Sequence, residues 1–204
     1  AEREFWERQF GYAPREGEVL PLSIGQGPNS QTPLKIAQFY LALARDGSAP
    51  SPFLARDLEL EDAWALDLAP EHIMSLHEGL RNVTSPGGTA HFGTSLEYWE
   101  VRGKSGTAEH GLSQAGLAEP HAWFAGMAGP FGGAPGIVVV VIVEYGESGS
   151  GTAAPIMAKT ADHYLRRKHG IPVDSVQTYL DHVRIGPVPT WYRERYPTGV
   201  GGIR

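Results

Sequence analysis

Seven consecutive residues, Ile137-Val138-Val139-Val140-Val141-Ile142-Val143, constrain this chain more than any other stretch. Every one is β-branched, which crowds a helix at χ1 and suits a pleated sheet. No polar residue interrupts either side of the pleat. Both faces therefore need cover, and the run predicts a central strand buried on both faces. It is far shorter than the ~18 apolar residues of a membrane span. Residues 121–129 read as a second strand. The Gly/Pro-rich segment 130–136 joins the two as a turn, giving an antiparallel hairpin.

Helices are marked by their ends and their spacing. Thr32 suits an N-cap and Pro33 a first helical position. Ile36, Phe39, Tyr40 and Leu43 then recur at helical spacing through Arg45, with Gly47 as the stop. Pro70 and Glu71 suit a second first turn, continued by Ile73, Met74, Leu76, Leu80 and Val83 until Pro86-Gly87-Gly88-Thr89-Ala90 breaks the chain. A last helix spans roughly Ala153 to His169, with Ile156, Met157, Tyr164 and Leu165 inward, and Gly170 and Pro172 end it. A flexible loop, Gly146 to Gly151, precedes it. Glu2 to Phe10 reads as a further helix with Phe5, Trp6 and Phe10 as its apolar residues. Ser23-Ile24-Gly25-Gln26-Gly27 reads as a strand end entering a tight turn. Residues 48–69 read as a connector without regular structure, and 110–120 as a polar loop. The order predicts an α+β fold with helices covering an antiparallel sheet, in one domain of residues 1–170. Residues 171–204 form a Pro/aromatic-rich basic tail.

A third strand, Leu96 to Arg102, leads into Lys104-Ser105-Gly106-Thr107-Ala108-Glu109. This places a lysine, two hydroxyls and a glycine at the end of an extended segment. Gly103 and Gly106 have no Cβ, so the backbone there can approach a ligand closely. An ammonium, two hydroxyl donors and backbone N–H groups together suit a carboxylate and a developing oxyanion.

Other chemistries find little support. The chain has no cysteine, which excludes disulfides, thiolate metal sites and a cysteine nucleophile. Its eight histidines include no H-x-x-x-H or H-E-x-x-H pattern, so no metal site is expected. Gly103-Lys104-Ser105 mimics the end of a phosphate-binding loop, but the earlier glycine of that motif falls at Tyr98. Gly111-Leu112-Ser113-Gln114-Ala115, with His121 downstream, is close to a hydrolase elbow, yet no strand leads directly into it. Trp123 and Phe124 sit in a strand, and at least one belongs to the core. Glu147 and Ser148 read as solvated loop residues. The net charge of −6 divides into −10 over residues 1–162 and +4 over residues 163–204. The basic tail reads as solvated surface, and no basic patch interleaved with aromatics points to nucleic acid.

The lysine motif resembles the K-[ST]-G signature of penicillin-binding proteins and serine β-lactamases. Further segments are similar to the C-terminal half of class B penicillin-binding protein transpeptidase domains. These are Ser23-Ile24-Gly25-Gln26-Gly27 with Thr32-Pro33-Leu34, Gly79-Leu80-Arg81-Asn82-Val83 with Gly88-Thr89-Ala90, Ala122-Trp123-Phe124-Ala125-Gly126, and Ala153-Ala154-Pro155-Ile156-Met157. They occur in the family's order over residues 19–169, and the S-I-G-Q-G form leans toward the elongation-type enzyme. The nucleophile motif S-x-x-K and the second motif S-x-N occur nowhere in the 204 residues. Thr32-Pro33-Leu34-Lys35 is only a decoy, with a proline at a helix start.

The resemblance implies part of a D,D-transpeptidase that cross-links peptidoglycan stem peptides through a serine acyl-enzyme and is acylated by β-lactams, without a cofactor. Lys104 would border the catalytic hydroxyls and set the field for proton transfer. Ser105 and Thr107 would hydrogen-bond the carboxylate of the substrate, beside Gly106, and the Thr107 backbone N–H would give half of the oxyanion hole. The expected partner is the N-terminal part of the same domain, which carries S-x-x-K and S-x-N. The parent is expected to be anchored by an N-terminal segment at the periplasmic face of the inner membrane. The chain opens at Ala1 rather than methionine, so a processed or truncated product is expected. The alternative is a non-catalytic binding or scaffold module that retains the transpeptidase sheet.

Overall fold

The computed structural model describes residues 4, 6–8, 11–13, 16–26, 31–52 and 62–172. The backbone divides into two compact units, residues 1–32 and 33–204. The expected tail of residues 171–204 lies outside the described residues beyond Pro172, as do Phe5 and Phe10 of the expected first helix.

In the first unit, Glu16–Ser23 forms helix α1. This corrects the strand end expected at Ser23. The tight turn follows the helix: the Gly25 N–H donates to the Leu22 carbonyl at 3.0 Å, and Gly25 takes the left-handed φ of +80°. The Ser23 hydroxyl donates to the Leu20 carbonyl at 2.7 Å. Local backbone bonds and a glycine stop define this helix. Within it Leu20 is 74% exposed, so this leucine marks no buried stripe for a sequence reading to find.

In the second unit, helix α2 spans Pro33–Ala44, and the Gly47 N–H closes its end on the Ala42 carbonyl at 3.0 Å with φ +94°. Strands β1 (Ser48–Pro50) and β2 (Asp62–Ala65) pair antiparallel, where a connector was expected. They are too short, and too far apart in the chain, to show an alternating pattern. Helix α3 is Pro70–Thr84, and a short helix α4, His91–Thr94, follows the glycine break. Strand β3 runs Trp99–Ala108, the helical turn α5 covers Gly111–Gln114, and β4 (His121–Pro130) and β5 (Ile137–Val143) complete the hairpin. A π-helical turn, Gly149–Ala153, replaces the end of the expected flexible loop and leads into α6, Ala154–His169. Gly170 stops α6 at φ +69°, as its position predicts.

Among the described residues the main sheet has three antiparallel strands in the order β3-β4-β5. Of these three strands β4 is the central one, and no described strand pairs with the outer edge of β5. Its β-branched run has another cause, because a helix covers each side of the pleat. Ile137, Val139, Val141 and Val143 pack with Ala122, Phe124 and Ala128 against Met157, Ala158, Ala161 and Leu165 of α6. Val138 and Val140 pack with Ala125 and Met127 against Tyr40 and Leu43 of α2. Two covered faces need two helices, not a strand on each edge. All of β5 except Ile142 is half-buried.

The buried side of α6 also differs from expectation. Ala154, Met157, Ala158, Ala161 and Leu165 are buried, while Tyr164 is 46% exposed. Alanines let the helix lie close to the sheet, so the aromatic is not the inward residue. Phe124 and Met127, both 0% exposed, fill opposite faces of β4. On the α2 side, burial raises the Tyr40 phenol to about 12.

Candidate functional site

The motif lies within β3 rather than after it. Lys104 pairs with Ala125, Ser105 with Phe124, Gly106 with Trp123 and Thr107 with Ala122. Side chains alternate along a strand, and the core clusters identify the two faces. Val101 and Phe124 belong to the α6 side, and Ser105 and Thr107 share that phase; Ala125 and Met127 belong to the α2 side, which is the phase of Lys104. The two hydroxyls thus share one face, about 6.8 Å apart along the strand. The lysine starts from the other face, is exposed, and folds its ammonium back onto the Ser105 carbonyl at 2.8 Å. Ser105 and Gly106 are half-buried and Thr107 is exposed. Among the described residues, no strand pairs with the outer edge of β3.

The preceding half of the strand is anchored. Arg102 is buried and donates from Nε to Glu100 at 2.8 Å, and Arg81 of α3 approaches the same carboxylate at 2.7 Å. Arg102 also donates to His77 Nδ1 at 2.9 Å, and His77 Nε2 reaches the Leu43 carbonyl at 2.7 Å. These partners give His77 the neutral tautomer protonated on Nε2. The Thr84 hydroxyl donates to the Val101 carbonyl. Strand β3 is so tied to both α2 and α3 just before the motif begins.

The glycines act differently from the sequence reading. A Cβ at Gly103 would meet the Phe124 ring at 2.6 Å and the Ala125 carbonyl at 2.7 Å, so the core fills the space expected for a ligand. Gly106 is more open, with only the Trp123 Cβ in reach at 3.2 Å. A residue missed from sequence is Gly149. A Cβ there would overlap the Gly106 and Trp123 carbonyls and meet the Gly106 nitrogen at 2.8 Å. The π-helical turn thus presses flat against the motif backbone. The glycine-dense stretch of residues 146–151 carried that signal, because close backbone approach also selects glycine.

The remaining candidates fall into place. The Ser113 hydroxyl accepts from the His110 N–H at 2.8 Å and donates to the His110 carbonyl at 2.9 Å, as a capping residue would. Phe124 is core and Trp123 half-buried. Among the described residues, no group of three or more His, Cys, Asp or Glu suits a metal ion, and no helix is long and apolar enough to cross a membrane. A cavity of about 280 Å³, lined by residues such as Arg81, His91, Trp99 and Phe131, sits at the other end of β3 and includes no motif residue.

Residues 5–162 match the family model described as the penicillin binding protein transpeptidase domain. The chain is 28% identical over 198 residues to the peptidoglycan D,D-transpeptidase MrdA of Haemophilus influenzae, covering 84% of this chain and 30% of that protein. It is 30% identical to the peptidoglycan D,D-transpeptidase PbpA of Mycolicibacterium smegmatis, covering 71% of this chain and 31% of that protein. The fold is similar to the crystal structure of Pseudomonas aeruginosa PBP2 in complex with WCK 5153, with TM-score 0.63 and 31% identity, over 84% of this chain and 38% of that one. The chain spans about a third of the length of these curated relatives.

Proposed function

Because the chain belongs to the penicillin-binding protein transpeptidase family, we propose that it is the part of an elongation-type peptidoglycan D,D-transpeptidase that presents the K-[ST]-G strand to substrate. The observation that carries this reading is the motif on an edge of β3 that no described strand covers, with both hydroxyls on one face. An extended peptide can lie along such an edge. Ser105 and Thr107 then meet its carboxylate, and the Lys104 ammonium adds positive charge beside it. The Thr107 backbone N–H is one oxyanion donor; removing such a donor typically costs roughly 10²–10³ in rate. The nucleophilic serine and its lysine belong to polypeptide outside these 204 residues, since S-x-x-K is absent from them. That part is the partner of this one. The substrates are stem peptides, β-lactams are the corresponding acylating inhibitors, and the parent works at the periplasmic face of the inner membrane.

Labelling with a fluorescent penicillin, followed by denaturing electrophoresis, tests the proposal. The isolated chain gives no covalent band, because acylation requires the absent serine and base. Co-expression with the remainder of the transpeptidase domain gives a band. Ser105→Ala or Thr107→Ala then slows its appearance about 10- to 100-fold, the value of a hydrogen bond to a charged group. A band on the isolated chain overturns the assignment of the nucleophile, and labelling of both variants at the rate of the unsubstituted protein overturns the role of the hydroxyls.

A further inference from the structure

His110, His121 and Tyr145 form a cluster that the motif chemistry does not use. His110 sits just before α5, His121 opens β4 and Tyr145 follows β5. The imidazoles stack with centroids 4.4 Å apart and planes 21° from parallel. The Tyr145 ring stands edge-on to them, at 5.3 Å from His110 and 5.0 Å from His121. Hydrogen bonds set each tautomer. His110 Nε2 lies 2.9 Å from the Glu119 carbonyl, so it carries a proton and donates. The Tyr145 backbone N–H donates to His121 Nδ1 at 3.1 Å, so that nitrogen is bare. A protonated His121 cannot accept this bond, and two imidazolium rings at this spacing repel.

The bond holds a strained turn. Tyr145 and Glu147 both take left-handed backbone, with φ of 57° and 66°, a region that residues with a Cβ seldom occupy. Gly146 between them is buried, with no room for a Cβ against Ala122 and Val143. The Glu147 N–H donates to the Pro120 carbonyl at 3.0 Å. Two residues further on, Gly149 lies flat on Gly106. A continuous line of contacts therefore joins the imidazole pair to the motif glycine.

We propose that the His110–His121 pair is a pH-sensitive clamp. With His121 Nδ1 bare, the pair holds the Tyr145–Glu147 turn and, through Gly149, the motif strand at Gly106; protonation of that nitrogen releases the turn and loosens the strand.

Burial, and next the neighbouring His110 charge, push His121 below its ordinary value, and Glu144 opposes them. Burial and then Glu144 raise the Tyr145 phenol, so it stays neutral. Glu109, Glu119 and Glu147 are the other carboxylates on the adjoining segments. With the folded value depressed, the unfolded chain binds protons first. The clamp is fully formed above about pH 6.5 and is lost as pH falls from there through the lower folded value of His121.

Amide and imidazole NMR of this chain between pH 7.5 and 5 tests the clamp without reference to acylation. The Tyr145, Gly149 and Gly106 amides are expected to shift together, with the midpoint of the His121 ring. His110→Phe keeps the stack but removes one charge, and should move that midpoint upward. His121→Phe, which has no Nδ1, should abolish the shared titration. Flat Gly106 and Gly149 amides while His121 titrates overturn the coupling. A His121 midpoint that does not rise in His110→Phe overturns the pair, even if His121→Phe fails to fold.

Discussion

The two halves of β3 share one strand, one partner and one unbroken register with β4, yet they live in different surroundings. From Trp99 to Gly103 the strand is almost entirely buried, and α3 covers it through Thr84, Arg81 and the Glu100–Arg102–His77 network. From Lys104 to Ala108 it is half-buried or exposed. A pleat that is locked in its first half has its phase set in the second, because successive side chains alternate without choice. The open half can thus present Ser105 and Thr107 on a defined face.

If that division is right, substitutions should sort by half. Phe124→Ala empties the core beneath both halves and is expected to cost about 3–5 kcal/mol in chemical denaturation. Arg102→Ala strikes the anchored half alone. Its expected cost is about 3 kcal/mol, at the low end for a broken buried pair because Arg81 still faces Glu100. Penicillin labelling of the reassembled domain should weaken with it, although Arg102 is not in the motif. Gly149→Ala pushes a methyl into the motif backbone, and overpacking of this kind costs about 1–3 kcal/mol. Displaced Gly106 and Thr107 amide signals would show that the strain reaches the open half. Lys104→Ala, at an exposed position, should change stability by less than about 0.5 kcal/mol. A loss of several kcal/mol there would mean the open half is as structural as the anchored one, and the comparison would fail.

Much of the fold was legible because its signals are local. Pro33 and Gly47 bracket α2, Gly170 ends α6, and the strand runs of β4 and β5 are continuous in the chain. The features that were misread depend on partners far away in sequence. Gly103 looked like room for a ligand until the Phe124 ring occupied it, and residues 48–69 looked irregular until two short strands paired within them. Gly149 showed its purpose only once it met Gly106, 43 positions earlier in the numbering. The site was half legible for the same reason. Its residue types stand in a row, but the face each one takes follows from pairing with β4.

The sequence alone determined the α+β class, the β-branched hairpin strand, the main helix stops and the chemical content of Lys104-Ser105-Gly106-Thr107. Each of these is written in neighbouring residues, through propensity, punctuation and side-chain type. Tertiary structure decided that β4 and not β5 is central among the described strands, that Lys104 starts from the face opposite the two hydroxyls, and that a stacked imidazole pair stands beside the motif strand. Strand order and register come from backbone hydrogen bonds between distant segments. A run apolar on both faces is satisfied equally by a central strand or by an edge strand between two helices, so the sequence cannot choose between them.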